Sequence, residues 1–479
     1  MTFVKQCQST YIRIFGEIGY ITNQISKHDR VYDDIGAVFL KQISRTPKRI
    51  VDIVAELSSQ FVNVTAQEIE NDFTDFVQSL EEEQFIITGE TELSLQQKEL
   101  IFSYNNHQRD IAPSYMNQDN ITYPDTGDFF YIYFRKNPHI FDIQIEVTSR
   151  CNERCLHCYL PQDRQAQDID TKMAIDVLDQ LVDLKTVSVT FSGGECFLHK
   201  DFAKLLKRAR QNDLAISILT NGTKINDDYI KVLKEIRVNQ IQISLYSMKS
   251  QEHDSITQLP GSHKKTLATL EKFLAEDIPV QISCPVMRTN YRSYKNVLQW
   301  AHSHRIKAYT DFIMMARTDF TTSNLCERIN SHEVEKLIHD MLIYDEEYKA
   351  LLEIQQPEKP EELRNKPVCG IGIDSLCLTP SGDCYPCGGF QGYIIGNVYK
   401  NTLQDIWNNS DAVHKLREIT WDKFPKCVQC EAKLYCSMCL VRNFNEGNGD
   451  MFKINQHFCD VAFINKRLVD EYHQKNHQI

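Results

Sequence analysis

The sequence predicts an α/β protein. Its centre is a parallel sheet of βα units wrapped as a partial, TIM-like (β/α)6 barrel, between an N-terminal winged helix-turn-helix domain and a cysteine-rich C-terminal domain. Three observations carry this prediction. From residue 139 to about 312, short apolar runs alternate with helical periodicities, the pattern of a parallel sheet. Residues 1–95 order short strands, two helices and a closing strand as a winged module. Nine of the 16 cysteines fall between 369 and 459. The expected division is 1–95 (winged module), 96–138 (linker), 139–325 (barrel), 326–366 (helical bridge) and 367–479 (cysteine domain).

In the first module, Tyr11–Phe15 and Gly19–Thr22 read as strands joined at Gly16-Glu17-Ile18. Thr46 is expected to cap a helix that has Pro47 at its first position and Ile50, Ile53, Val54 and Leu57 on its apolar face. Thr65 and Glu68 form a capping box for the next helix, which carries Ile69, Phe73, Phe76, Val77 and Leu80 on one stripe. Phe85-Ile86-Ile87 reads as the wing. Nucleic acid is a poor partner, because residues 1–95 hold 8 Lys/Arg against 15 Asp/Glu. Residues 96–138 are polar and aperiodic apart from their aromatic end, hence the linker.

The whole chain carries a net charge of −12, again unsuited to nucleic acid or an anionic membrane. No stretch is apolar for long enough to span a bilayer. Met1-Thr2-Phe3-Val4-Lys5-Gln6 lacks the layout of a signal peptide, so a cytoplasmic location is expected. In that compartment clustered cysteines point to metal rather than disulfides.

In the middle region strands are expected at 141–148, 187–192, 215–220, 240–245, 280–286 and 308–313. Helices are expected at 171–184, 201–211, 227–236, 264–276 and 292–304. Chemistry in parallel βα folds sits at the C-terminal strand ends. The first strand ends in Cys151-Asn152-Glu153-Arg154-Cys155-Leu156-His157-Cys158. Three thiols in one loop leave one corner of an iron–sulfur cube open; a zinc knuckle closed by His157 is the competing reading. The second strand ends in Ser192-Gly193-Gly194-Glu195, where paired glycines permit close backbone approach. Cys196 follows and reads as a buried, inert thiol. The third strand ends in Thr220-Asn221-Gly222, the fourth in Ser244-Leu245-Tyr246.

The loop Cys-x3-Cys-x2-Cys followed by Tyr159 resembles the cluster loop of the radical S-adenosylmethionine enzymes. The resemblance implies that Cys151, Cys155 and Cys158 hold a 4Fe-4S cluster whose open iron binds S-adenosylmethionine, generating a 5′-deoxyadenosyl radical. It further implies that Gly193, Gly194, Glu195 and Ser244 bind that cofactor. Cys196 departs from the family, which has Pro there. His253-Asp254, Pro260-Gly261-Ser262 and Asn290 resemble the subgroup acting on peptides and proteins. There His253 and Asp254 read as loop-fixing residues ahead of an acid–base pair. The winged module resembles the element that binds the leader segment of ribosomally made precursor peptides by strand addition, with an edge expected near Tyr20–Ile25.

After the charged bridge, the spacing becomes specific again. Cys369-x12-Gly382-x4-Cys387 precedes Cys427-x2-Cys430-x5-Cys436-x2-Cys439, with Cys459 beyond. This resembles the SPASM domain of radical maturases, with Cys436 to Cys439 one residue shorter than usual. The resemblance implies a first auxiliary cluster on Cys369, Cys387 and Cys439. Its fourth ligand is Cys377 or Cys384, or the position is open to a substrate thiol. A second cluster would sit on Cys427, Cys430, Cys436 and Cys459. Paired Cys-x2-Cys spacings also suit zinc.

The expected cofactors are therefore three 4Fe-4S clusters and S-adenosylmethionine. The expected partners are a precursor peptide and an external electron donor. The implied activity is an oxidative thioether or carbon–carbon cross-link in that peptide. Rivals are peptide epimerisation, with Cys284 as hydrogen donor, aldehyde formation in a protein, and a non-catalytic zinc-stabilised regulator. Anaerobic reconstitution is expected to load about twelve irons per chain. About four irons with stoichiometric zinc would overturn the auxiliary clusters.

Overall fold

The N-terminal strands pair as two small sheets. The computed structural model describes residues 2–26, 28–101, 126–344, 346–349, 352 and 359–476. Strands β1 (Phe3–Gln6), β2 (Thr10–Phe15), β3 (Ile18–Asn23) and β4 (His28–Tyr32) lead to helix α1 (Asp34–Lys41). Then come β5 (Lys48–Arg49), α2 (Ile50–Ser58), α3 (Ala66–Glu82) and β6 (Ile86–Gly89). One sheet has the order β5-β1-β6 and the other β2-β3-β4. Gly16, at φ +64°, makes the tight β2–β3 turn that a side chain would strain. The Thr65–Glu68 capping box is formed, and α3 buries Ile69, Phe73, Val77 and Leu80.

Three expectations fail in this region. Thr46 and Pro47 do not open a helix. Lys48 and Arg49 are drawn into pairing with Val4 and Phe3, so the backbone there is extended and α2 begins at Ile50 without a side-chain cap. Tyr20–Ile25 is not an edge either: Ile21 pairs with Ile12 on one side and Arg30 on the other, and the outer strands are β2 and β4. The expected linker is partly helical. Helix α4 (Glu92–Ile101) runs across its start and α5 (Thr126–Lys136) lies near its end; residues 102–125 are outside the described set. Phe130 and Phe134 of α5 pack edge-on against Phe15, at 6.4 and 5.6 Å between ring centres. Aromatic burial, which polar composition conceals, orders this segment.

The middle region alternates as expected. It runs β7 (Asp142–Thr148), α6 (Thr171–Asp183), β8 (Ser188–Gly193), α7 (Phe202–Gln211), β9 (Ala215–Thr220), α8 (Asp227–Ile236) and β10 (Gln240–Ser244). It continues with α9 (Ser250–Thr257), α10 (Ser262–Ala275), β11 (Val280–Ser283), α11 (Tyr294–Ser303) and β12 (Lys307–Tyr309). Strand β11 stops short of its expected end because Pro285 has no N–H for the ladder. All six strands are parallel, in sequence order. The sheet then continues past β7 into β13 (Ser375–Leu378), also parallel, and the antiparallel β14 (Asp383–Tyr385) and β15 (Gly396–Asn397). The cysteine-rich region thus begins inside the same sheet.

The two faces of the sheet differ in chemistry. Ile143, Ile145, Val147, Val189, Phe191, Ile216, Ile218, Ile241, Ile243 and Ile282 are buried in one core with the helices. Each is worth roughly 1.5–3 kcal/mol of burial. The alternate positions carry Gln144, Glu146, Ser192, Gln242, Ser244, Gln281 and Ser283. Gln144 Nε2 donates to Ser192 Oγ at 2.8 Å, and Gln281 Nε2 to Gln242 Oε1 at 2.7 Å. Polar groups buried or half-buried at successive strand positions set this face apart from a packing core.

The N-terminal module docks on the ends where the strands begin. Arg13 Nε donates to the Thr186 carbonyl at 3.0 Å, and Arg13 and Arg45 both pair with Asp213. Tyr11 Oη donates to Asn239 Oδ1 at 3.0 Å. Thr186, Asp213 and Asn239 precede β8, β9 and β10. Among the described residues, no helix is long and apolar enough to cross a membrane.

His139 sits in this junction, stacked on Phe134 and edge-on to Phe15 at 4.8 Å. Burial pulls its pKa down to about 4 from 6.5. The unfolded chain therefore binds the proton first, and stability is lost as pH falls from 6.5 towards 4, by up to about 3 kcal/mol. His139→Phe is expected to flatten the fall in melting temperature over that window; an unchanged slope would exclude this origin.

Candidate active site and cysteine centres

The loop after β7 is held by the end of β8. Gly194 N donates to the Thr148 carbonyl and Glu195 N to the Arg150 carbonyl, both at 2.8 Å. A Cβ on Gly193, which has φ +131°, would stand 2.3 Å from the Thr148 oxygen; one on Gly194 would stand 2.2 Å from the Arg150 oxygen. Both glycines are needed because one backbone lies against another.

The Glu195 carboxylate is fully buried and committed to the neighbouring strand end. It accepts from Thr220 Oγ1 at 2.7 Å, Asn221 N at 2.8 Å and Phe197 N at 3.2 Å. Asn221 in turn donates to Asn152, whose amide donates to Thr223 Oγ1 at 2.8 Å. Cys196 is enclosed, with Sγ 3.6 Å from the Leu219 carbonyl, as expected of an inert thiol.

Helix α9 holds the other side of the loop. Arg154 N donates to the Thr257 carbonyl at 2.9 Å and Leu156 N to that of Ile256 at 3.0 Å. This short polar helix has no apolar stripe by which the residues alone would reveal it. Glu153 was equally hidden, since a loop carboxylate carries no pattern. It is buried, with Oε2 3.4 Å from Cys155 Sγ and Oε1 unpartnered. Burial pushes its carboxyl up to about 8, so it is mostly protonated at neutral pH. Burial likewise pushes the Cys151 thiol up to about 11, with negative charge on Glu195, Glu153 and Cys158 adding to the shift. Cys155 and Cys158 are also raised, first by burial, and Cys155 feels both other thiols.

Across the site, Ser244 ends β10 and hydrogen-bonds to Tyr246. The Tyr246 ring meets His157 edge-on at 4.9 Å. Burial pulls His157 down to about 4, leaving a neutral ring. His253 Nδ1 accepts from Tyr246 N at 3.2 Å, and Asp254 accepts from Gly261 N, Ser262 Oγ and His263 N. Both fix loops, as does Asn290, which donates to the Tyr246 and Pro285 carbonyls at 2.9 and 3.0 Å. Cys284 lies in the core with Ile282, on the helix side of the sheet. A hydrogen donor would have to face the polar side.

All sixteen cysteines are free thiols. The C-terminal cysteines lie in two neighbourhoods. Burial pushes Cys387 up to about 12, and Cys439 and Cys369 are its nearest thiol charges. Burial pushes Cys427 up to about 11, with Cys436, Cys459 and Cys430 around it. Cys377 neighbours Cys387, whereas Cys384 is buried beside Asp383 with no thiol acting on it. Among the described residues, no three His, Cys, Asp or Glu side chains converge closely enough for one metal ion.

Comparison with known proteins agrees with this layout. Residues 145–301 match the Radical SAM superfamily, 369–431 the SPASM iron-sulfur cluster-binding domain, and 30–86 the coenzyme PQQ synthesis protein D. The chain is 27% identical over 311 residues to the antilisterial bacteriocin subtilosin biosynthesis protein AlbA of Bacillus subtilis, covering 63% of this chain and 67% of that protein. It is 24% identical over 304 residues to the PqqA peptide cyclase of Bradyrhizobium diazoefficiens, covering 60% and 78%. The fold is similar to that of Streptococcus suis SuiB bound to precursor peptide SuiA. The TM-score is 0.59 at 14% identity, over 94% of this chain and 98% of that one.

Gly194→Ala is expected to displace the loop, because the clashing atom is backbone. Reconstituted iron should fall by about four atoms per chain, the content of one 4Fe-4S cluster. Unchanged iron would show that the close approach is dispensable.

Proposed function

The chain carries a radical S-adenosylmethionine domain between PqqD-type and SPASM domains, and on that premise we propose that it is a cytoplasmic, oxidoreductase-type maturase of a ribosomally made precursor peptide. The product is an oxidative cross-link, thioether or carbon–carbon. The observation that carries the reading is a three-thiol loop pressed onto Gly193 and Gly194 in a sheet that runs on into a second cysteine field. The donor set suits three 4Fe-4S clusters: unpaired thiols, half-buried except for the exposed Cys369, in groups of three, three and four, the second group beside Cys377.

When bound at Cys151, Cys155 and Cys158, the cluster supplies the electron that splits S-adenosylmethionine into methionine and the 5′-deoxyadenosyl radical. The chain's own residues prepare the place. Gly193 and Gly194 fix the loop, and Ser244 faces it from β10. Glu195 spends its carboxylate on Thr220 and Asn221, so its part in cofactor binding falls to the backbone. His157, edge-on to Tyr246, lines the wall of the site, which suits a spacer rather than a metal ligand. Among the described residues no strand pairs with the outer edge of β4, which suits leader-strand addition to a winged helix-turn-helix. The six parallel units suit a partial barrel, and the reading calls for an external electron donor. The acidic N-terminal module argues against nucleic acid. The enclosed Cys284 argues against epimerisation by that thiol.

Under reducing, oxygen-free conditions the iron-loaded protein is expected to form 5′-deoxyadenosine, and its precursor peptide to lose two hydrogens per cross-link. No 5′-deoxyadenosine would overturn the reading; an unchanged mass with solvent deuterium in the peptide would transfer it to epimerisation.

A further inference from the structure

The two C-terminal groups of thiols meet at one loop. Cys436, Ser437, Met438 and Cys439 are consecutive; Cys436 goes with Cys427, Cys430 and Cys459, and Cys439 with Cys369 and Cys387. Arg442 reaches back onto this loop from the short helix Leu440–Glu446. Its Nη1 donates to the Ser437 carbonyl at 3.0 Å and to Ser437 Oγ at 3.3 Å. Its guanidinium carbon stands 4.6 Å from the centre of the Phe458 ring, and Phe458 directly precedes Cys459. These contacts fix where the charge lies. Ser437 is next to Cys436 and two residues from Cys439, so neither thiol is more than about 12 Å from the guanidinium.

The charge is unpaired among the described residues. No carboxylate lies within ion-pair distance of Arg442, and Asp311 and Glu446 act on it only from farther off. Arg328 is the contrast: it meets the same Phe458 ring at 5.5 Å, but Glu446 Oε2 accepts from its Nη1 at 2.9 Å. Burial lowers the Arg442 pKa, and the Cys439 thiolate is the first of the charges that oppose this. A half-buried guanidinium loses hydration, whereas a neutral amide would brace the Ser437 loop without that cost.

We propose that Arg442 sets how readily the auxiliary clusters take up an electron, by holding one unpaired positive charge at the loop they share. This role rests on the maturase reading, which assigns the cluster ligands, and deepens it. When the cross-link forms, one hydrogen of the peptide leaves as an atom to the 5′-deoxyadenosyl radical. The second leaves as a proton to solvent and an electron to a cluster; no bond to Arg442 is made or broken. Uptake adds negative charge to a site that thiolates already make negative, and net charge is one of the properties that set a cluster's potential. Even at about 12 Å, with the dielectric effective near a protein surface, a unit charge shifts such an equilibrium by about tenfold.

Arg442→Gln tests it, in full-length protein that also carries Cys151→Ala, Cys155→Ala and Cys158→Ala, so that only the auxiliary clusters titrate. After anaerobic reconstitution, the proteins with and without Arg442→Gln are followed by electron paramagnetic resonance through a redox titration, and iron is measured in each. At a fixed solution potential the ratio of reduced to oxidised cluster is expected to fall at least about tenfold in Arg442→Gln, a shift of about 59 mV for one electron. Arg442→Lys, which keeps the charge, is expected to stay within about threefold. An unchanged potential in an iron-replete Arg442→Gln protein overturns the role, as does an equal fall in Arg442→Lys. Loss of iron from Arg442→Gln overturns it too, because the guanidinium would then be a brace for the loop. If the protein with Arg442 intact binds no iron in this background, the auxiliary-cluster part of the maturase reading fails and takes the role with it.

Discussion

The contact on which the rest of the molecule depends is between two backbones. Thr148 to Cys151 runs so close to Gly193 and Gly194 that no side chain fits between them. This contact aims the first thiol and fixes where β8 ends. It also places Glu195 where it can lock Thr220 and Asn221 of the next strand. Hydrogen bonds then pass from Asn221 through Asn152 back to the loop, so three strand ends and the loop form one rigid unit. Rigidity matters here because radical chemistry is directed by position, and sites built on strand ends hold position better than sites on loops alone.

The sheet divides its labour by face. Isoleucines and valines against the helices provide the stability, while the opposite face carries glutamines, serines and one buried glutamate. The cysteine-rich region reaches that polar face by joining the sheet through β13 instead of packing as a separate body. Tyr385 and Gln391 can therefore touch Glu146, only five positions before Cys151. The first cysteine loop and the second cysteine field are thus tied through one strand.

Much of this was legible in the residues. Alternating apolar runs locate β7 to β10 within a residue or two, and cysteine spacing sets the Cys151–Cys158 loop apart from the C-terminal cysteine field. What escaped had no local signature. The Lys48–Arg49 pairing is a tertiary contact that overrides a good Pro47 helix start. The order of α5 comes from Phe130 and Phe134 meeting Phe15, a residue more than a hundred positions earlier. Glu153 and Glu146 look like ordinary polar positions until their burial is seen. Gly193 and Gly194 were correctly singled out for close approach, but the partner they approach is the chain itself.

Arg13, Arg45 and Tyr11 fasten the N-terminal module to the ends where the strands start, and the thiol loop lies where they finish. A strand of six residues is about 20 Å long. On the proposed mode of leader binding, a peptide gripped at β4 would run at least that length before its first reactive residue met the polar face, which takes about six residues even when fully extended. The body of the sheet would then be a ruler: residues too near the gripped segment would be out of reach whatever their chemistry, and the choice of which residue is changed would be made partly by counting.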